Sequence, residues 1–199
     1  MYILGDIGNS DTKIFLVNKK NRILKKINLN TKNINNQNLN KKIKFLTKDL
    51  KKIEKILFCS VVPKSFQLIR KYFSKKTKIR CYEIKDLNLR SLIKIKVNFK
   101  QVGSDRLTNV ISLQNDRDNF IILDFGTATT FDVVIKKNYT GGIIAPGVKI
   151  SLDTLSDKAS LIPQIDLKKI TNIIGSNTIS AVRSGFFWGY AGLIDNIVN

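Results

Sequence analysis

The sequence predicts a mixed α/β fold made of two similar halves, and two observations support that prediction. Apolar segments as far as Ile84 follow the order βββαβα and then a further strand, which is typical of a mixed α/β half-domain. A strand, a turn containing Asp-x-Gly and a second strand occur at Asp6–Thr12 and again at Asp124–Thr130. We therefore expect one half-domain at residues 1–100 and a second at residues 101–199.

Each of these hairpins combines the groups that bind phosphate at a turn. Apolar runs flank both copies, at residues 2–4 and 14–17 in the first and at residues 120–123 and 131–135 in the second. Gly8 and Gly126 allow a close approach of the backbone, the threonines carry hydroxyl donors, and the carboxylates can hold a cation. Two such halves could clamp a polyphosphate. The alternative is a pair of unrelated turns that use Asp and Gly for geometry alone.

Apolar spacing assigns the remaining elements of the first half. Three strands with polar turns between them precede an Asn-rich loop, an amphipathic helix, a buried strand, a helix that begins at a proline, and a last strand. In chain order these are Tyr2–Ile7, Thr12–Val17, Arg22–Leu29, the loop Asn30–Asn40, the helix of Leu39, Ile43, Leu46, Leu50 and Ile53, Ile56–Val62, the helix from Pro63, and Lys78–Ile84.

The second half begins with a helix whose first turn is polar. It follows a connection at Lys85–Val102, and its apolar face is formed by Leu107, Val110, Ile111 and Gln114. Gly103–Arg106 lies at its N-terminus, where free backbone N–H groups attract anions. A carboxylate beside a guanidinium at this point suits an acidic substrate that carries a hydroxyl group. The alternative is that Ser104 or Asp105 only caps the helix.

One strand and two helices complete the predicted second half, at Tyr139–Ala145, Val148–Ala159 and Ile179–Val198. The last helix carries small residues three or four positions apart, namely Ala181, Gly185, Gly189, Ala191 and Gly192. Because glycine lowers helix stability, tight packing against another helix is the expected compensation. A symmetric partner chain is one candidate for that helix.

Composition narrows the classes of function. The chain has 199 residues, 43% of them hydrophobic, and a formal net charge of +20. Residues 1–100 hold 26 Lys and Arg against 6 Asp and Glu, so the excess lies there. That field attracts anions, but scattered lysines among many Asn and Ile residues favour a coding bias over specific nucleic-acid binding. Histidine is absent and no Walker-type phosphate loop occurs, so any catalysis rests on Asp, Lys, Arg, hydroxyl and backbone N–H groups.

The cysteines and the apolar runs indicate where in the cell the protein is expected. Cys59 and Cys81 both lie in apolar, strand-like surroundings, which predicts reduced thiols in the core. No apolar run reaches the roughly 18 residues of a membrane span, and the N-terminus lacks the pattern of a signal peptide. We therefore expect a cytoplasmic protein.

Several segments together resemble the type III pantothenate kinases, in the order that this family shows. They are Asp6–Lys13, Gly103–Arg106, Asp124–Thr130, Gly141–Gly147, Gly175–Thr178 and Ala181–Gly185. The resemblance implies the duplicated actin-like, ribonuclease H-like fold of the superfamily that includes acetate and sugar kinases. It also implies a homodimer that transfers phosphate from ATP to pantothenate in the first step of coenzyme A synthesis.

The resemblance implies roles for individual residues as well. ATP would contact Thr127 and the first hairpin, whose residues are Asp6, Ile7, Gly8, Asn9, Ser10, Asp11, Thr12 and Lys13. Pantothenate would contact Thr178 and the segment Gly103, Ser104, Asp105 and Arg106, with Asp105 as the general base. Asp124 would hold a monovalent cation, K⁺ or NH₄⁺, and Mg²⁺ would accompany ATP.

Two departures from the family pattern affect these expectations. A tyrosine often precedes the Gly-x-Asp-Arg motif, whereas residues 96–100 here offer only Phe99 as an aromatic wall. The family also continues with a further strand and helix near the adenine, so we expect either that the second half is C-terminally truncated or that these last elements are dispensable here. Two other functions stay open at this point. One is a non-catalytic accessory factor of transcription, a role for which the family is also named, and the other is nonspecific nucleic-acid binding through lysines.

Overall fold

The computed structural model describes residues 1–43, 47–113 and 117–199. Its internal contacts form two compact units, residues 1–118 with 134–140 and residues 119–133 with 141–199. The half-domain boundary expected after residue 100 is defined by the sequence repeat, and it stays a prediction. Two residues that the sequence assigns to helices, Leu46 and Gln114, lie outside the described ranges.

The secondary structure confirms a mixed α/β class. Within the described ranges the strands are β1 (Tyr2–Ile7), β2 (Asp11–Val17), β3 (Ile23–Asn30), β4 (Lys55–Ser60), β5 (Cys81–Glu83), β6 (Lys94–Ile95), β7 (Asn119–Phe125), β8 (Ala128–Ile135) and β9 (Asn138–Pro146). The α-helices are α1 (Asn36–Ile43), α2 (Pro63–Lys76), α3 (Ser104–Ser112), α4 (Val148–Lys158) and α5 (Thr178–Val198). Short 3₁₀ turns occupy Thr31–Asn33, Thr47–Lys52, Ile84–Asp86 and Leu89–Ser91.

The first unit is built on a five-stranded sheet with the order β3-β2-β1-β4-β5. β2 is antiparallel to both of its neighbours, whereas β4 is parallel to β1 and to β5. This is the strand order of a ribonuclease H-like half of an actin-like fold, as the resemblance implies. Since β1 and β4 run in parallel, their carboxyl ends and the turns that follow lie at one edge of the sheet, where α/β proteins commonly bind ligands.

Apolar side chains of β1, β2 and β4 pack against α1 and α2 to form the core of this unit. Fully buried members include Ile3, Ile7, Ile14, Leu39, Ile43 and Ile56. The Phe58 ring lies 6.1 Å from the ring of Phe73, and a Cβ atom on Gly5 would overlap the Phe58 ring. Cys59 and Cys81 are free and buried in the same unit, which confirms that both are core thiols.

The helix predicted from Leu39 to Ile53 is wrong as a single element. α1 ends at Ile43, and Thr47–Lys52 forms a tighter 3₁₀ turn. The amino group of Met1 donates to the carbonyl of Lys52 at 2.9 Å, and the Glu54 N–H donates to the Met1 carbonyl at 2.8 Å. Because these bonds hold residues 52–54 beside the start of β1, a continuous helix cannot pass through them.

The second unit contains β7, the first part of β8, the last part of β9, and helices α4 and α5. β7 lies beside β8 and β8 lies beside β9, so the strands repeat the neighbour order of β1, β2 and β3. The beginning of β9 belongs to the first unit, where it pairs in parallel with β6. α5 starts with a capping box, in which the side chains of Asn177 and Ser180 each accept the other residue's backbone N–H.

α5 is covered very little within its own unit. Of its 21 residues only Ser184 is buried, and Phe187 and Trp188 are 48% and 47% exposed. A Cβ atom on Gly185, Gly189 or Gly192 would meet nothing within 4 Å, so the described part of the chain does not supply the tight helix packing that the sequence predicts. Across the described ranges, no helix combines the length and apolar character needed to cross a membrane.

Candidate active site

The turn of the first hairpin is closed by backbone and side-chain hydrogen bonds. Asp6 and Lys13 lie opposite one another in the β1–β2 ladder, with their charged groups 4.0 Å apart. The Gly8 N–H donates to the Asp11 carbonyl at 2.9 Å. From the other side, the Thr31 hydroxyl donates to the Gly8 carbonyl at 2.8 Å. The turn is therefore held in one shape before any ligand binds.

Thr12 supports this turn from inside the protein. Its side chain is fully buried, and its hydroxyl lies 2.9 Å from the hydroxyl of Thr31. Because Thr31 already gives its one hydrogen to a carbonyl, Thr12 is the donor in this pair. The Thr12 hydroxyl is thus committed to the turn, whereas Asn9, Ser10 and Asp11 are exposed. The role of Thr31 could not be predicted from the sequence, since this residue lies at the start of a predicted Asn-rich loop.

The segment after β4 connects the first hairpin with the start of α3. The Val61 N–H donates to the Ile7 carbonyl at 3.0 Å, at the end of β1. A Cβ atom on Gly103 would lie 3.6 Å from Cγ1 of Val61, and it would also overlap the Asp105 carboxylate. Gly103 therefore leaves the space in which the Asp105 side chain turns back over the start of the helix, where Oδ1 accepts the Arg106 N–H at 2.8 Å.

The alternative that Ser104 or Asp105 only caps α3 is wrong. The N-cap residue is Gly103, which makes no side-chain hydrogen bond, and Ser104 is already the first helical residue. Ser104 is 3% exposed, and Asp105 is half-buried in the first turn. The first turn of α3 thus presents a half-buried carboxylate that is not the N-cap group, although its Oδ1 accepts the Arg106 N–H of the same turn.

The buried thiol of Cys59 lies beside the first hairpin. Cys59 is the register partner of Asp6 between the parallel strands β1 and β4. Burial raises the pKa of Cys59 to about 12, a hydrogen bond with Thr108 opposes that rise, and the negative charges of Asp6, Asp105 and Glu83 add to it. Val61, which follows β4, bonds to the Ile7 carbonyl and lies beside Gly103 at the start of α3. The first unit therefore brings the first hairpin and the start of α3 together.

The turn of the second hairpin is supported by the start of α4, within the second unit. The Gly147 N–H donates to the Thr127 carbonyl at 3.1 Å. A Cβ atom on Gly147 would overlap the carbonyl oxygens of Gly126 and Thr127, so only glycine allows this approach. Asp124 lies just before the turn, near the end of β7, and both Asp124 and Thr127 are exposed.

Two hydroxyl groups of the second hairpin are candidates for holding a cation. Oγ1 of Thr129 and Oγ1 of Thr130 are buried, and neither has a hydrogen-bond partner in the described part of the chain. Buried hydroxyls are normally paired. Since successive residues of a strand face opposite sides of the sheet, at most one of the two could join the carboxylate of Asp124 in an oxygen donor set, which would suit a hard cation. Within the described ranges no cluster of three or more acidic, His or Cys side chains occurs.

Thr178 lies in the second unit as the first residue of α5, directly after the Asn177 cap, and it is exposed. The loop before it is fixed to the helix. Nε of Arg183 donates to the Asp166 carbonyl at 2.9 Å, and the Ser184 hydroxyl donates to the Ile173 carbonyl. Of the predicted site residues, those of the first hairpin and Gly103–Arg106 are thus in the first unit, and the others are in the second.

Comparisons with known proteins give the chain its family. The family model for type III pantothenate kinase matches residues 2–199. A type III pantothenate kinase from Pelagibacter ubique is 66% identical over 199 residues, which cover 100% of this chain and 80% of that relative. Another from Koribacter versatilis is 38% identical over 157 residues, which cover 75% of this chain and 56% of that relative.

A solved structure agrees at the level of the fold. The crystal structure of a Baf family protein from Campylobacter jejuni matches 98% of this chain and 78% of its own, with a TM-score of 0.57 and 19% sequence identity. The family model and the Pelagibacter ubique relative both match nearly the whole chain. The 66% identity to that relative is far above what a shared fold alone requires. The chain therefore belongs to the type III pantothenate kinase family, a family of kinases.

Proposed function

We propose that this chain transfers the γ-phosphate of ATP to the primary hydroxyl of pantothenate, giving 4'-phosphopantothenate in the first step of coenzyme A synthesis. Beside the family match, one observation supports this most directly: Val61 bonds to the Ile7 carbonyl at the end of β1 and lies beside Gly103, so the first hairpin is close to the start of α3 that carries Asp105. A phosphate-binding turn beside a carboxylate that can accept a proton is what phosphoryl transfer to an alcohol needs.

Asp105 is the general base of this proposal. As the pantothenate oxygen bonds to the γ-phosphorus and the bond to the β–γ bridging oxygen breaks, Asp105 accepts the hydroxyl proton and ADP leaves. The space left by Gly103 lets the carboxylate turn over the start of α3, where backbone N–H groups favour an anionic substrate. Arg106 follows directly and is suited to a carboxylate or phosphate oxygen. Thr178 is the proposed contact to pantothenate in the second unit.

The two hairpins share the work of binding ATP in this proposal. The exposed turn residues of the first hairpin, with Asp6 and Lys13 at its base, contact the phosphates. Thr127 contacts ATP from the second hairpin. Asp124, with Thr130 as a second oxygen ligand, is suited to hold K⁺ or NH₄⁺, and Asp6 is suited to Mg²⁺. When bound, these cations neutralise charge on the phosphates, which is their usual role in phosphoryl transfer.

The uncovered surface of α5 supports a homodimer as part of the same proposal. Its exposed Phe187 and Trp188, and the open space beside its glycines, are typical of a face that another chain covers. Sedimentation velocity measures the mass in solution, and a monomer at every concentration would contradict the dimer. We also propose that the enzyme works in the cytoplasm, where its substrate ATP is found.

The decisive experiment compares Asp105→Asn with the unchanged chain in a coupled ADP-release assay with pantothenate and KCl. Loss of a general base lowers kcat by about 100- to 10,000-fold. ATP binding, measured by calorimetry, is expected to survive because Asp105 does not belong to either hairpin. Asp86→Asn is the matched control, since Asp86 is an exposed carboxylate of the same unit that caps a 3₁₀ turn, and we expect it to keep its activity.

Other outcomes of this assay separate the alternatives. Substantial activity in Asp105→Asn would remove Asp105 from its role. Turnover of ATP with a different small alcohol would keep the kinase and overturn the substrate. If the unchanged chain has no activity, a titration with DNA at increasing salt distinguishes the nucleic-acid alternative, because binding through lysines weakens steeply with salt.

A further inference from the structure

A shallow basic pocket of the first unit lies outside the residues assigned to the proposed active site. Its volume is about 260 Å³, and its described lining residues include four cationic side chains and no acidic one. Four positive charges in so small a space repel one another, so an anion placed among them is attracted by all four. The lining residues are Arg90, Ser91, Leu92, Ile93, Lys94, Lys136, Lys137 and Asn138.

The two sides of this pocket are joined by backbone hydrogen bonds. On one side, the buried side chains of Leu89 and Ile93 anchor the loop that carries Arg90 and Lys94. The Lys94 N–H donates to the carbonyl of Lys137 at 3.2 Å, at the start of the β6–β9 ladder. The loop and the turn between β8 and β9 are therefore held together before any ligand binds.

The turn that forms the other side has a conformation that its residues do not favour. Lys136 and Lys137 have φ angles of 44° and 60°, in the left-handed region that favours glycine. The Asn138 amide supports the turn by donating to the carbonyls of Ile135 and Lys136 at 2.9 and 2.8 Å. Asn-Gly would adopt this turn without the strain. Strained residues of this kind cluster at sites that bind ligands.

A second group of lysines in the same unit has an ordinary structural explanation. Lys75 and Lys76 lie in the last turn of α2, where the helix dipole stabilises positive charge. The same dipole repels a bound anion. Lys136 and Lys137 connect two strands, so no helix dipole explains their charges. The pocket therefore concentrates positive charge at a cost to stability that a bound anion offsets.

We propose that this pocket binds the oligophosphate group of a small molecule, at a site separate from the proposed active site. Lysine ammonium groups and the fork of the Arg90 guanidinium are suited to phosphate oxygens. Four cations match a ligand that carries three or four negative charges, such as a di- or triphosphate. No aromatic side chain is among the described lining residues, which disfavours single-stranded nucleic acid, whose bases stack on such rings.

The first test is a titration of the full chain with inorganic pyrophosphate in NaCl of about 0.15 M, followed by the NMR signals of its amides. We expect saturable shifts at residues 90–94 and 136–138. Arg90→Gln combined with Lys94→Gln leaves the turn intact and should weaken this binding at least about tenfold. Lys75→Gln combined with Lys76→Gln is the matched control, since it removes the same charge from an exposed surface, and its Kd should stay within about twofold.

A second variant separates the strain of the turn from its charge. Lys136→Asn combined with Lys137→Gly provides the residues that the turn favours and removes two cations. Without pyrophosphate, we expect the urea midpoint of this variant to lie above that of the unchanged chain. Its affinity for pyrophosphate should nevertheless fall at least about tenfold. An unchanged affinity in this variant or in the Arg90 and Lys94 variant would overturn the proposal.

The positions of the shifts decide among the other outcomes. Shifts confined to residues 8–13, or equally strong at residues 75–78, would overturn the proposal, as would equal shifts with sulfate at the same ionic strength. A DNA duplex that shifts the pocket amides where pyrophosphate does not would assign the pocket to nucleic acid instead. Because these measurements do not use catalysis, they decide this inference whether or not the chain phosphorylates pantothenate.

Discussion

The two hairpins of this protein match in sequence but differ in what completes them. Thr12 and Thr130 occupy the same place in the repeat. The Thr12 hydroxyl lies 2.9 Å from the hydroxyl of Thr31, whereas the Thr130 hydroxyl is buried with no partner among the described residues. An unsatisfied buried polar group costs about 1–3 kcal/mol. Two copies of one motif can therefore differ in function: in the first the threonine hydroxyl is used in a hydrogen bond within the protein, and in the second it is left able to bind a ligand.

The hairpins also differ in how they are anchored. The first is held by side chains at both ends. Thr31 fixes its turn, and Glu54 joins its strands at the open end by contacting the Met1 amino group at 3.2 Å and Lys19 at 3.1 Å. The hydrogen bond with Lys19 is the main reason that the pKa of Glu54 is lowered. The turn of the second hairpin instead rests on the backbone of Gly147.

The largest expected effect comes from breaking that backbone contact with Gly147→Ala. The added methyl group would overlap two carbonyl oxygens of the second turn, and backbone cannot move aside as a flexible side chain does. We expect a loss of about 3 kcal/mol in the free energy of unfolding, the upper end for overpacking. Urea unfolding followed by circular dichroism measures it.

Gly126→Ala is the matched control for this variant, since it adds the same methyl group within the turn that Gly147 contacts. Its Cβ would lie 3.6 Å from the Ala128 carbonyl oxygen, which is ordinary contact. We expect a loss of less than about 1 kcal/mol. Equal losses in the two variants would show that the turn responds to any methyl group, and that the close approach of Gly147 is not its support.

The sequence predicted the parts of this comparison that depend on local patterns. Alternating apolar residues and turn residues located both hairpins, and their repetition indicated two related halves. The polar start of α3 was also evident, because Gly103–Arg106 directly precedes an apolar helix face. Each of these features depends on residues within about ten positions of one another, which is the range over which apolar periodicity and helix capping act.

What completes each hairpin could not be predicted, because it depends on contacts between distant residues. Thr31 reaches Gly8 over 23 positions, and Gly147 reaches the second turn from the start of α4. The turn between β8 and β9 is local, but it lacks the residues that usually identify such a turn in a sequence. Lys136 and Lys137 connect β8 and β9 with positive φ angles of 44° and 60°, where Asn-Gly is the common choice, and the Asn138 amide supports them by donating to the carbonyl of Lys136 at 2.8 Å.

The difference between Thr12 and Thr130 is tested by replacing each of them by valine. Thr12→Val removes a buried donor whose hydrogen bond the structure contains, so we expect the free energy of unfolding to fall by about 1 kcal/mol. The loss should be the same in KCl and in tetramethylammonium chloride, because the Thr12 hydroxyl serves only the turn. Urea unfolding in both salts checks this, and a loss seen in KCl alone would assign Thr12 to a cation site.

Thr130→Val should have the smallest effect on the protein without its ligands. The hydroxyl that is removed has no partner among the described residues, so the free energy of unfolding in tetramethylammonium chloride should stay within about 0.5 kcal/mol of the unchanged chain or rise. If the hydroxyl holds a cation with Asp124, KCl stabilises the unchanged chain, by about 1.4 kcal/mol at ten times Kd. We expect Thr130→Val to lose most of that increment and Thr12→Val to keep it. An increment that is the same in all three proteins would mean that the Thr130 hydroxyl holds no cation.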